Sequence, residues 1–171
     1  MDEITSLFEE SELKKGEYFI KSGQYCEKLS FVRSGYIRIF STANDKEVTQ
    51  WISAKGHFIT DLYSFNFKQR ARWTIQALTD CKLYTIDKEN YNLLNTLVPN
   101  WLAMEKQFIA SCFITLEDRI FSHLSLNAEE RYDAFFQNNK EIFNHVPLQY
   151  IASMLGMSPE TFSRIRHKKI S

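Results

Sequence analysis

The sequence predicts an α+β chain with three parts: an N-terminal antiparallel β-roll of jelly-roll type, one long helix, and a C-terminal helix-turn-helix without an obvious terminal wing. Three observations lead there. Short β-rich runs cut by turn dipeptides fill the first half. A two-striped helical pattern runs from Asn100 to about Leu126. Leu148–Ile165 then sets a small residue, a glycine and apolar anchors at the offsets of two crossing helices.

Between Lys14 and Ile86 the turn signals are Ser22-Gly23, Ser34-Gly35, Asn44-Asp45 and Lys55-Gly56. Gly, Asn and Asp accept the positive φ angles that tight turns demand. In Arg72–Ala77 the alternation puts Trp73, Ile75 and Ala77 on one face. Tyr36–Phe40 and Val48–Ile52 are rich in β-branched and aromatic residues. About eight strands at this spacing make a closed or sandwiched sheet. A short helix over Ile4–Leu13 is expected to precede it.

The pattern changes after Asp87. Asp87-Lys-Glu-Asn90 starts a helix that Pro99 ends. In the long helix that follows, Leu102, Ile109, Phe113, Leu116 and Ile120 recur at helical steps, and Trp101, Met104, Phe108 and Cys112 form a second stripe. Two stripes exceed what a single core contact requires. One can cover the β-domain while the other meets a second copy in a coiled-coil-like dimer. Ala128–Asn139 is a further short helix, with Tyr132, Phe135 and Phe136 on one face.

The last segment carries the sharpest pattern. Ile151 and Leu155 lie one turn apart on a first helix, and Ala152 is small where a second helix must cross closely. Gly156 provides a left-handed stop. Ser158 is an N-cap with Pro159 at the first helical position. Phe162 and Ile165 give the second helix its inward stripe. This is a helix-turn-helix. At about 100° per residue, Glu160, Ser163, Arg164 and His167 fall on the side opposite Phe162 and Ile165. A carboxylate, a hydroxyl and a guanidinium fork suit base edges in a major groove, so Glu160, Ser163 and Arg164 are expected to read bases. Ser158, Thr161, Arg166, His167, Lys168 and Lys169 are expected to hold phosphates.

Bulk composition narrows the class. With 171 residues, 44% hydrophobic and 25% charged, the chain can bury a core as one or two domains. No run approaches the ~18 apolar residues of a membrane span. The N-terminus has no basic or apolar leader, so a cytoplasmic protein is expected. Net charge is zero, yet residues 140–171 carry Lys140, Arg164, Arg166, Lys168 and Lys169 against Glu141 and Glu160. Such asymmetry marks a local electrostatic footprint. Cys26, Cys81 and Cys112 are odd in number and widely spaced, which argues against a disulfide framework, a zinc ribbon or an iron–sulfur cluster. His57, His123, His145 and His167 do not cluster in sequence, and no metal, heme or other cofactor is expected. A cupin-like enzyme would need two or three His plus Glu on adjacent strands, and only His57 lies in the strand-rich region.

A β-roll, a long helix and a terminal helix-turn-helix together resemble the Crp/Fnr superfamily of bacterial transcription regulators, over nearly the whole chain. The most specific parts are Gly56-His-Phe-Ile-Thr-Asp-Leu62 with Arg72-Trp-Thr-Ile-Gln-Ala77, and Ser158-Pro-Glu-Thr-Phe-Ser-Arg164. Ala128-Glu-Glu-Arg-Tyr132 also looks like the link before the DNA-binding helices in one branch. The resemblance implies that Glu160 and Arg164 read a TGA-type core in each half of a palindrome, and that Ser163 matches the serine of the Fnr-like branch. Pro159 stands where the Crp branch has a further base-contacting arginine, so an operator identical to Crp's is not expected.

The effector cassette departs from the family. Thr60 stands where cyclic-nucleotide binders have the glycine of Phe-Gly-Glu-Leu, and a β-branched residue denies the close approach glycine permits. Their phosphate arginine falls at Ala71, with Arg70 and Arg72 on either side. Thr60, Asp61, Arg70 and Arg72 are therefore the candidate effector pocket, for a small molecule that is not cyclic AMP, or for none. The expected organisation is a β-roll over 1–98, a dimerisation helix over 99–126 and a DNA-binding domain over 127–171. The expected function is a homodimeric, sequence-specific regulator of double-stranded DNA, which as an activator would also touch RNA polymerase. The alternative is a β-roll signalling module acting through a protein partner. Many relatives continue into a β-wing where this sequence stops at Ser171, and the expectation is fewer backbone contacts with lower affinity per subunit, or a shortened chain.

Overall fold

The computed structural model describes residues 2–170. The chain divides into two compact units, one ending at Pro99 and one beginning at Asn100.

After a short helix α1 (Asp2–Thr5), the first unit contains eight strands. They are β1 (Glu9–Leu13), β2 (Tyr18–Ile20), β3 (Lys28–Ser34), β4 (Ile37–Ala43), β5 (Lys46–Ser53), β6 (Phe58–Ile59), β7 (Thr74–Ala77) and β8 (Cys81–Asp87). They form two four-stranded antiparallel sheets, ordered β1-β8-β3-β6 and β2-β7-β4-β5. Alternation decides which side chains go inward. In β8, Cys81, Leu83 and Ile86 are buried while Lys82 and Tyr84 face out. Both sheets feed one core, with Val32, Cys81 and Leu83 from the first and Phe19, Ile37, Ile75 and Ala77 from the second.

The turns follow from residue chemistry. Asn44 and Asp45 both have positive φ, 50° and 58°, and join β4 to β5 with Ala43 opposite Lys46. That is the two-residue hairpin whose twist matches the strands. At Gly35 a Cβ would stand 2.5 Å from Cys81 Sγ and 2.6 Å from the Asp80 carbonyl, so only glycine fits.

The expected helix over Ile4–Leu13 is corrected. The helix ends at Thr5, and Glu9–Leu13 is strand β1, paired with β8 from Glu9 opposite Thr85 to Leu13 opposite Cys81. Ser11 and Thr85 hydroxyls meet at 2.7 Å across that pair. A tertiary ladder overrides local helical preference here.

Two helices complete this unit. Helix α2 (Leu62–Phe67) is capped by Asp61, and α3 (Lys88–Leu97) by Asp87, whose carboxylate accepts the Asn90 N–H at 2.7 Å.

The second unit is helical: α4 (Trp101–Ser125), α5 (Ala128–Asn138), α6 (Ile142–His145), α7 (Leu148–Met154) and α8 (Pro159–Ile170). Asn127 and Glu130 close a full capping box at the start of α5. The core of this unit is aromatic. Tyr132 packs against Phe143 and Phe162 with ring centres 5.8 and 5.3 Å apart, and Ile142, Val146, Ile151 and Ile165 are buried with them. Helix α4 buries none of its residues fully. Among the described residues no helix is long and apolar enough to cross a membrane.

Candidate nucleic-acid interface and effector pocket

Helix α7 ends in a complete Schellman motif. The Met157 N–H donates to the Ala152 carbonyl at 2.9 Å and the Gly156 N–H to the Ser153 carbonyl at 3.0 Å. Gly156 has φ +69°, the left-handed value this stop requires. Ala152 is fully buried beneath the turn, as a close crossing demands.

Ser158 then starts α8. Its Oγ accepts the Thr161 N–H at 3.2 Å and donates to Thr161 Oγ1, also at 3.2 Å. Phe162 and Ile165 are buried, which turns the opposite face outward. Glu160, Ser163, Arg164 and His167 are all exposed there. The face holds an acceptor, a hydroxyl and a fork of donors, the groups that pair with base edges. Beside it a groove of about 310 Å³ is lined by Leu148, Gln149, Pro159, Ser163, Arg166 and His167.

Lys168 and Lys169 turn toward α5 instead of standing apart as a basic tail. Lys168 Nζ donates to Glu129 Oε2 at 3.1 Å, and Lys169 Nζ to Asp133 Oδ2 at 2.7 Å. Glu129 is held below the usual carboxylate range by bonds from Lys168 and then Lys169. These are solvent-exposed pairs, cheap to exchange for another anion.

Two arginines in this unit escaped sequence reasoning. Arg119 on α4 donates to the Met154 carbonyl at 3.0 Å. Arg131 on α5 donates to the Leu155 carbonyl at 3.0 Å and the Leu126 carbonyl at 2.6 Å. The one sequence signal was their place on helices that otherwise present apolar stripes toward neighbours.

The effector candidates separate into two groups. Asp61 is 1% exposed. One oxygen accepts the Ser64 N–H at 2.8 Å, capping α2; the other accepts the Arg72 N–H at 2.8 Å and the Trp73 N–H at 3.1 Å. Thr60 Oγ1 donates to the Lys28 carbonyl at 2.9 Å. The polar groups of both residues are thus bonded within the roll. Ala71, where the resemblance puts the phosphate arginine, is buried in the core cluster, and its N–H donates to the Gln24 carbonyl at 2.7 Å.

Its neighbours Arg70 and Arg72 face outward. Arg70 donates to the Gly23 carbonyl at 2.8 Å and lies over Tyr25, and Arg72 lies over Tyr63 with its guanidinium 4.9 Å from the ring centre. Both side chains are exposed, so Asp61 meets the 70–73 loop through its backbone and not through its guanidinium groups. A buried arginine lies elsewhere: Arg38 on β4 donates to Glu47 at 2.6 Å and Thr49 at 2.9 Å. Among the described residues no group of His, Cys, Asp and Glu could hold a metal ion.

The cyclic nucleotide-binding domain model matches residues 10–94. No curated protein matches the chain by sequence. Among solved structures the chain is similar to CLP of Xanthomonas campestris, described as a c-di-GMP responsive global regulator, with 17% identity and a TM-score of 0.75 over 98% of this chain and 88% of that one. It is similar to FixK2 of Bradyrhizobium japonicum, with 15% identity and a TM-score of 0.79 over 94% and 83% of the two chains. The catabolite activator protein of Thermus thermophilus matches with 21% identity and a TM-score of 0.54 over 98% and 80%. At these identities the likeness is one of fold, and it takes in β-roll, long helix and helix-turn-helix together.

Proposed function

We propose that the chain, whose residues 10–94 match the cyclic nucleotide-binding domain model and whose fold is similar to CLP and FixK2, works as a homodimeric, sequence-specific DNA-binding transcriptional regulator of Crp/Fnr type. The observation that carries this reading is the exposed face of α8. Glu160, Ser163 and Arg164 stand on one side of a helix whose other side is anchored by Phe162 and Ile165. Such a face enters a major groove with its N-terminal residues against base edges. Arg166 and His167 flank it for phosphates, and Lys168 and Lys169 would exchange Glu129 and Asp133 for the DNA backbone.

The apolar surface of α4 supports the dimer. Leu102 is 68% exposed, and Phe113 and Ile120 are each 60% exposed, with Ile109 and Leu116 on the same stripe. A 25-residue helix with that stripe is a seam for a second copy.

The commitment of Asp61 and the burial of Ala71 support an effector other than a cyclic nucleotide, or regulation without one.

The test is fluorescence anisotropy on a labelled duplex carrying two inverted TGA half-sites one helical turn apart, against a scrambled duplex. Preferential binding, two chains per duplex and a steep loss of affinity with rising salt are expected. Equal binding to both duplexes would contradict the reading.

A further inference from the structure

The last carbonyls of a helix have no partner within it and must be satisfied from outside. In α7 the Ala152 and Ser153 carbonyls are taken by the Met157 and Gly156 N–H groups. The next two, Met154 and Leu155, go to side chains: Arg119 from α4 and Arg131 from α5. Arg131 also holds Leu126, the C-cap of α4, so one guanidinium joins the ends of α4 and α7. Cationic groups at two helix C-termini also complement the dipoles there. A guanidinium is a rigid planar fork, so its bonds fix direction as well as distance. One turn along α4 from Arg119, His123 Nδ1 donates to the Arg119 carbonyl at 2.9 Å, and the His123 ring lies 3.5 Å from where a Cβ on Gly156 would stand. Three residues of α4 and α5 therefore meet the turn that aims α8.

We infer that Arg119 and Arg131 are positioning residues that set the angle of the reading helix α8 relative to α4. A single bond would leave α7 free to swing about it; two, to adjacent carbonyls from different helices, define an orientation. This rests on the DNA-reading and dimer proposals above: with α4 as the seam, the angle fixes the separation of the two reading heads. Neither arginine lies on the exposed face of α8, so each acts on recognition only through geometry.

The experiment measures anisotropy on duplexes whose inverted half-sites are one helical turn apart, or that spacing changed by one or two base pairs, and on a duplex with one half-site. Wild type is expected to show one sharp optimum. Arg119→Gln and Arg131→Gln are expected to flatten the profile, losing at least about tenfold at the optimum, the worth of one charge-assisted hydrogen bond, with half-site affinity unchanged. Arg119→Lys keeps a donor for the Met154 carbonyl but not the planar fork, and is expected to restore the optimum only in part. Parallel losses on full and half sites, or an unchanged profile, would overturn the inference. A second arm needs no DNA: backbone residual dipolar couplings of α4 and α8. Wild type is expected to fit one alignment tensor and the glutamine variants to need two. One tensor throughout would overturn the inference even if wild type bound no duplex, a result that would separately end the DNA reading.

Discussion

The Asp61 carboxylate accepts the backbone N–H of Arg72 at 2.8 Å while its other oxygen caps α2. A buried acceptor serving three N–H donors is a structural clasp between α2 and the strand that begins at Thr74. Asp61→Asn places an amide NH2 among those donors and leaves at least one unsatisfied. The expected loss is about 2 kcal/mol, within the usual desolvation cost of an orphaned buried group. Urea unfolding should show a lower midpoint at an unchanged slope. A midpoint equal to wild type would mean that the carboxylate does not hold the loop.

Cyclic nucleotides should leave the protein unmoved. Ligand present at about 100 times its dissociation constant stabilises by about 2.7 kcal/mol, a shift readily seen on thermal unfolding. With Asp61 committed and Ala71 in the core, cyclic AMP and cyclic GMP at about 1 mM are expected to give no shift. A saturable rise in midpoint would contradict that expectation.

Two glycines should rank differently. Gly156→Ala meets only ordinary contact at His123, 3.5 Å away, so its cost is the left-handed backbone, about 1 kcal/mol. Gly35→Ala adds a clash with the Asp80 carbonyl to the same backbone cost at φ +95°. It should unfold at clearly lower urea than Gly156→Ala, and the reverse order would be wrong for this geometry.

His57 gives the β-roll a pH dependence. Burial pushes its imidazole below the ordinary value of 6.5, and its Nδ1 accepts the Ala54 N–H at 3.3 Å, which requires the unprotonated nitrogen. The unfolded chain therefore takes up a proton before the folded one does. Stability present above about pH 6.5 falls as pH drops through that value. Urea midpoints at about pH 7.5 and 5.5 should differ more for wild type than for His57→Gln, and equal differences would remove His57 from the account.

Much of this was legible because the determinants are local. Gly156, Ser158 and Pro159 specify a turn within four residues, and Asp87 specifies the start of α3. What escaped depends on partners far along the chain. Strand β1 exists because β8 lies beside it, more than sixty residues on. Asp61 looks like a ligand-binding carboxylate until folding brings the 72 and 73 amides to it. The basic end meets Glu129 and Asp133, and Arg119 and Arg131 meet carbonyls that no spacing rule announces.

Arg164→Ala tests the proposed base reading by α8 most directly, measured by anisotropy on the TGA palindrome and on the same duplex with the core bases changed, at physiological salt. Wild type should prefer the palindrome, and the variant should lose about 1–3 kcal/mol of that preference while keeping its salt-dependent background binding and its fold. Equal preference in wild type and variant would contradict base reading by α8.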